Sequence, residues 1–222
     1  MASEVDICNA ALGFIGDAAT VASIDPPEGS AQAKHCARFY PLARDALLEM
    51  HPWSFATKRV ALSALTDTPT EWDYAYAYPA DVNNIIAVLP SDATDDYSIG
   101  NVPGDINSGV PDSAGGYYVP QPFSAEVTQD GQQVIYSDQQ DAVLRYTAMV
   151  TDTSQFSPLF TIALSYLLAS YLAGPVLKGD TGRQVASAML AEAVRVVSQA
   201  KVSDTGQRRT TVQHNVSWMI NR

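Results

Sequence analysis

Lysine and arginine are missing from the whole stretch between Arg59 and Arg145, where 13 Asp and Glu residues fall. All 24 acids and 10 of the 13 bases lie in residues 1–204, leaving −14 there against +3 in the last 18 residues. So acidic a body has no counterion-releasing patch, which argues against tight nucleic-acid binding. Cysteine is scarce too. Cys8 and Cys36 are the only two, and both fall on apolar helical faces, where they read as buried thiols. A disulfide between their helices is compatible with the pattern but not required. No Cys/His cluster has zinc-site spacing. No run reaches 18 uninterrupted apolar residues. The opening Met1-Ala2-Ser3-Glu4-Val5-Asp6 lacks the layout of a signal peptide, so synthesis in a reducing cytoplasm is expected. Also lacking are a phosphate-cradling glycine loop, a Gly-x-Ser-x-Gly elbow and a His-Glu-x-x-His pair.

What the chain does contain is a 46% apolar fraction over 222 residues, enough for one large core or two small ones. A first helix is expected from Glu4 to Ile15, capped by Ser3 and stopped by Gly16. Val5, Cys8, Ala11, Leu12 and Ile15 make its apolar stripe. Asp25-Pro26-Pro27-Glu28-Gly29 turns the chain, and Ser30 caps a second helix to about Met50, with a kink near Pro41. His51 precedes a proline and ends it. Residues 53–150 read as β, with strands at 53–62, 85–89, 123–129, 132–137 and 142–149. Asp130-Gly131 suits a type I′ hairpin, and Trp72, Tyr74, Tyr76 and Tyr78 alternate as a strand would. Residues 91–116, rich in Asp, Gly, Pro and Ser, form a long excursion.

Ser157-Pro158 then opens a helix that is apolar almost all round and that Gly174-Pro175 breaks or kinks. Residues 178–182 make a turn into a last helix from about Arg183 to Val202. The expected fold class is α+β: an α-helical bundle built from N- and C-terminal helices (1–52 and 151–202), an inserted antiparallel β module (53–150), and an extended C-terminal tail (203–222). That tail carries Arg208, Arg209, Val212, Val216, Trp218, Met219 and Ile220, an apolar group with flanking arginines where chain ends are usually polar. It has the character of a docking strap with Trp218 as anchor.

Three phrases carry a family likeness. Phe39-Tyr40-Pro41-Leu42-Ala43-Arg44-Asp45 leads into Leu47-Leu48-Glu49-Met50-His51-Pro52-Trp53-Ser54-Phe55, and Phe156-Ser157-Pro158-Leu159-Phe160 follows a hundred residues later. A fragment, Tyr78-Pro79-Ala80-Asp81, lies between them. Together they resemble the tail tubular protein A family, the head-to-tail adaptors of short-tailed bacteriophages, over roughly residues 3–66 and 140–202. The resemblance makes Tyr40, Pro41, Pro52, Trp53, Phe55, Phe156 and Pro158 structural signature positions. It implies a non-enzymatic virion protein of the neck, made in the host cytoplasm. About twelve copies would close a ring between the portal protein and the next tail tube or nozzle protein. It also implies that Gln207–Arg222 docks on the portal. On that reading part of the acidic surface lines a channel through which DNA slides without specific binding. No cofactor, metal, membrane insertion or catalytic residue is expected.

The alternative is a tail component that binds or cleaves cell-wall glycan. Its candidates are the Asp92, Asp95, Asp96 cluster and a tyrosine platform including Tyr117 and Tyr118. The acids lack calcium-loop spacing, and paired carboxylates for glycoside cleavage cannot be picked from so many. His35, His51 and His214 have plain readings as a helix-edge residue, a helix stop and a tail residue.

Overall fold

The computed structural model describes residues 2–18, 20–66, 71–91 and 121–207. Of these, 48% are helical and 22% lie in strands, an α+β composition. The chain divides into two compact units, one running to Thr57 and resuming over Thr147–Gln207, the other Lys58–Tyr146.

The first unit holds four helices: α1 (Glu4–Phe14), α2 (Ala31–Glu49), α3 (Pro158–Leu177) and α4 (Gly179–Thr205). Each of the first three starts where a hydroxyl meets an orphan backbone donor. Ser3 Oγ accepts the Asp6 N–H at 3.1 Å, and the Asp6 carboxylate accepts the Ser3 N–H at 2.8 Å, closing a capping box. Those bonds hold the Asp6 carboxyl below its ordinary range. Ser30 caps α2 through the Ala33 N–H and Ser157 caps α3 through the Phe160 N–H, with Pro158 at the first helical position.

One helix boundary, the start of α4, differs from expectation. Of the break or kink expected at Gly174-Pro175 no break forms, since α3 runs on to Leu177; the turn sits at Lys178 and Gly179, both with positive φ (+55° and +61°). The proline costs one backbone bond, yet the Lys178 N–H still reaches the Gly174 carbonyl at 3.0 Å. Residues 179–182 therefore belong to α4. There the helices approach so closely that a Cβ on Gly182 would lie 2.9 Å from the Ala173 carbonyl oxygen, a contact only glycine permits.

All four helices share one hydrophobic core. Alpha-3 packs along α4 and also on α1 and α2. By length and composition α3 could cross a membrane; in the structure its Phe160, Leu164, Leu167, Leu168 and Leu172 are buried in this core. Cys8 and Cys36 are free thiols inside it. The hydrogen bond it donates to Cys36, then burial, pushes the Cys8 thiol up.

The second unit carries β1 (Thr57–Ala61), β2 (Ala64–Leu65), β3 (Tyr74–Ala77), β4 (Val82–Leu89), β5 (Phe123–Val127), β6 (Gln133–Ser137) and β7 (Val143–Ala148). They form two sheets, ordered β1-β7-β4 and β2-β3-β6-β5, and every pairing in the second is antiparallel. Ala75, Val134 and Tyr136, with Leu65 and Trp72 against them, make its small core. The β5–β6 hairpin is not the expected type I′ turn. Of Asp130 and Gly131 only the glycine has positive φ (+79°). The Gly131 N–H bonds the Thr128 carbonyl at 2.9 Å, and the Thr128 N–H bonds Gln132 at 2.8 Å. Such a three-residue loop needs the left-handed conformation at one position.

Residues 53–56 are not strand either. Ser54–Ala56 form a 3₁₀ turn, and the strand begins at Thr57. A strand would offer its backbone groups sideways to a ladder. Here the Ala56 N–H returns to the Trp53 carbonyl, and the Thr57 hydroxyl donates to the same oxygen at 2.8 Å. Of the sequence readings, the 91–116 excursion beyond Ser91 and the tail from Arg208 lie outside the described residues.

Candidate functional site

Two of the phrases that carry the family likeness, at 47–55 and 156–160, meet in space. Trp53 is fully buried, and its indole N–H donates to the Leu47 carbonyl at 2.9 Å. Its ring meets Phe160 edge-on, with centroids 5.1 Å apart. Phe55 meets Phe160 at 5.0 Å and Phe156 at 5.7 Å; Phe156 and Phe160 lie 4.8 Å apart. Edge-on and tilted aromatic contacts at these separations each add about 0.5–1.5 kcal/mol beyond area burial. Residues a hundred positions apart thus form one aromatic knot that ties the end of α2 to the start of α3. Tyr40 and Pro41 lie within α2; Tyr40 is buried, with the Arg44 guanidinium 5.9 Å from its ring centroid.

A polar clamp adjoins this knot. Asp204, 7% exposed, accepts the Ser54 N–H at 3.0 and 3.2 Å through its two carboxylate oxygens. The Ser54 hydroxyl donates to Oδ1 at 2.5 Å, and His51 Nε2 stands 3.3 Å from Oδ2. The three residue types are those of a hydrolytic triad, but the order is wrong. A nucleophilic serine must give its proton to the imidazole, and the aspartate must lie beyond that imidazole. Here the aspartate is central and the serine proton points at it. Chemically the trio is a cap in which a carboxylate satisfies a turn's orphan donors. Sequence reading missed this role and assigned residues 203–204 to the tail. A signal existed: Asp204 continues the buried stripe Ala193, Val197, Ala200 at helical spacing, and an acid on such a stripe needs partners.

Asp81, at the end of Tyr78-Pro79-Ala80-Asp81, is the second polar anchor. It accepts from Lys58 Nζ at 2.9 Å and from the Tyr146 hydroxyl at 2.8 Å. The Lys58 bond chiefly holds its carboxyl below the ordinary range. Burial and the bond to Asp81 push the Tyr146 phenol up to about 12.

Two concave surfaces among the described residues carry little chemistry. One, of about 500 Å³, is lined by Ala77, Tyr78, Ala80, Val127, Gly131, Gln132 and Gln133, without a carboxylate. The other, about 150 Å³, lies among Met50, Leu167, Leu190, Val194, Val197 and Lys201. It continues an apolar exposure in which Met50, Leu190 and Val194 are 48%, 47% and 59% accessible. Among the described residues no group of three or more His, Cys, Asp or Glu is placed to hold a metal. Among the aromatic residues of 72–78, the Tyr74 and Tyr76 rings stack with centroids 6.3 Å apart. Trp72 packs with Ala75 and Tyr136, whereas Tyr76 is buried with its hydroxyl on the Gln139 carbonyl at 2.5 Å. Asp92, Asp95, Asp96, Tyr117, Tyr118 and the tail set Arg208, Arg209, Val212, His214, Val216, Trp218, Met219 and Ile220 lie outside the described residues. No protein-family model and no curated protein matches this chain.

Proposed function

We propose that this chain is a structural head-to-tail adaptor of a short-tailed bacteriophage, a virion protein without enzymatic activity. The observation that carries the reading is the aromatic knot. The phrases resembling the adaptor family, at 39–59 and 156–160, interlock through Trp53, Phe55, Phe156 and Phe160. Phrases matched by chance have no reason to meet; phrases that specify one core do. The role is geometric. Helices from both ends of the chain form a bundle that serves as the wall of a closed ring of about twelve copies. The inserted β module faces the next tail tube or nozzle protein, and the C-terminal segment docks on the portal. The exposed apolar side chains Met50, Leu190 and Val194 suit subunit contacts. The base-free stretch between Arg59 and Arg145 suits a channel wall that repels passing DNA.

The test is capture of the full chain and of a 1–207 truncation on the cognate portal ring, followed by electron microscopy. The full chain should bind as a ring, stay monomeric without portal, and lose binding on truncation. Absence of binding by the full chain, or a stable ring without portal, would overturn the reading.

A further inference from the structure

The concave surface of about 500 Å³ is built on the sheet β2-β3-β6-β5, and strand register decides what lines it. Ala77 pairs with Val134, and Val127 with Gln133. Carried one residue past the end of β3, the same register sets Tyr78 beside Gln133. Tyr78, Gln133 and Val127 therefore stand in one row across three strands, on one face of the sheet. Neighbouring strands lie about 4.8 Å apart, so the row is about 10 Å wide. Gly131 and Gln132 of the β5–β6 loop close one end. That loop is held in place: the Gln132 N–H donates to the Thr128 hydroxyl at 3.1 Å, and the Thr128 N–H to the Gln132 carbonyl at 2.8 Å. Charge sets the surface apart. Between Arg59 and Arg145 there are 13 acids and no base, yet no lining residue is charged. Two acids adjoining it in sequence are turned elsewhere. Glu126 accepts from the Ser124 hydroxyl at 2.6 Å, on the face opposite Val127, and Asp81 is taken up by Lys58 and Tyr146.

We propose that this surface binds a neutral sugar chain: one pyranose lies with its C–H face on the Tyr78 ring and its hydroxyls on the Gln132 and Gln133 carboxamides, and the next ring reaches over Val127. The polar groups are open to a ligand. Neither the Tyr78 hydroxyl nor the amides of Gln132 and Gln133 have a hydrogen-bond partner among the described residues. A carboxamide donates through its nitrogen and accepts through its oxygen, which matches a hydroxyl that does both. Tyr78 is half-buried, so its ring is held, while Val127 is 62% exposed. A purely apolar ligand would cover the two amides and leave them unpaired. An anionic one would meet the field of the surrounding acids. A surface this open leaves the outer hydroxyls in water, which suits a ligand that is polar all round. Of the alternating Trp72, Tyr74, Tyr76 and Tyr78, only Tyr78 lines it. The site concerns the β unit alone and stands or falls independently of the connector reading.

The experiment titrates the full-length protein, isotope-labelled for amide NMR, with neutral hexasaccharides of glucose and of N-acetylglucosamine, and with an oligogalacturonate of equal length as the acidic counterpart. A neutral chain should shift the amide resonances of residues 77–80, 127 and 131–133, with half-saturation at about 1 mM. Tyr78→Ala and Gln133→Ala should each weaken binding about tenfold. Tyr78→Phe keeps the ring face and should weaken it by less than about threefold. The Gln133 side chain is exposed, so Gln133→Ala tests the site even if loss of the ring disturbs the fold. No saturable shift at these residues with either neutral chain overturns the site. Tighter binding of the oligogalacturonate overturns the neutral class of ligand. Affinity unchanged in Gln133→Ala overturns the arrangement of the sugar on the row.

Discussion

Replacing Tyr40 by Phe should make this protein more stable. The tyrosine is 1% exposed, and its hydroxyl has no hydrogen-bond partner among the described residues. A buried hydroxyl stripped of water and left unpaired costs about 1–3 kcal/mol. Deleting it leaves a hole of roughly 10–15 Å³, which at about 24 cal/mol per Å³ costs only some 0.3 kcal/mol. The first effect wins. The ring keeps its place in the core and its contact with Arg44, so no other interaction is lost. The expected gain is about 1 kcal/mol or somewhat more, a rise of roughly 2–4 °C per kcal/mol in the thermal midpoint for a chain this long. Urea and thermal unfolding near pH 7 measure it, far below the titration of a phenol that burial pushes up. The urea slope should not change, because the same surface is exposed on unfolding. A loss of 1 kcal/mol or more would refute the argument, since it would require a partner for the hydroxyl that this packing does not provide.

Truncating Trp53 to Ala should cost about 3–5 kcal/mol by chemical denaturation. Trp53→Phe should recover most of that, remaining about 1–2 kcal/mol short through the lost bond to Leu47; equal stability of the two variants would contradict the knot. Asp81→Asn should alter the acid limb of stability. The Asp81 carboxyl is held low in the folded state by Lys58. Its contribution is therefore present above the unfolded value of about 3.9 and is lost as pH falls through the lower folded value. Asp81 is 41% exposed, so the difference should be roughly 1 kcal/mol or less at pH 7. Thermal midpoints of wild type and variant should converge towards pH 2; a gap that widens there contradicts the assignment.

The helix starts were legible because capping is local. Ser3, Ser30 and Ser157 each announce a helix within four residues, and the structure begins α1, α2 and α3 there. The start of α4 was read at Arg183 instead of Gly179 because glycines at 179 and 182 are a local turn signal, whereas the packing of α3 against α4 that Gly182 allows is not local. Residues 53–56 were misread for a related reason. Their alternation of aromatic and polar residues fits a strand, but the partners that decide are Leu47, Phe160 and Asp204. Nothing in sequence spacing states that a carboxylate 150 residues later will cap Ser54.

Composition and local pattern were enough for the α+β class, the capped helix starts, the buried character of α3 and the acidic stretch without bases, because each depends on neighbours within a few residues or on a count. Only the tertiary structure decided that Trp53, Phe55, Phe156 and Phe160 form one aromatic knot and that Asp204 belongs to the helical unit. It also decided that Asp81 ties Lys58 to Tyr146. Those outcomes turn on which side chains become neighbours once the chain folds back on itself, and burial makes a polar group seek its partner wherever in the sequence that partner lies.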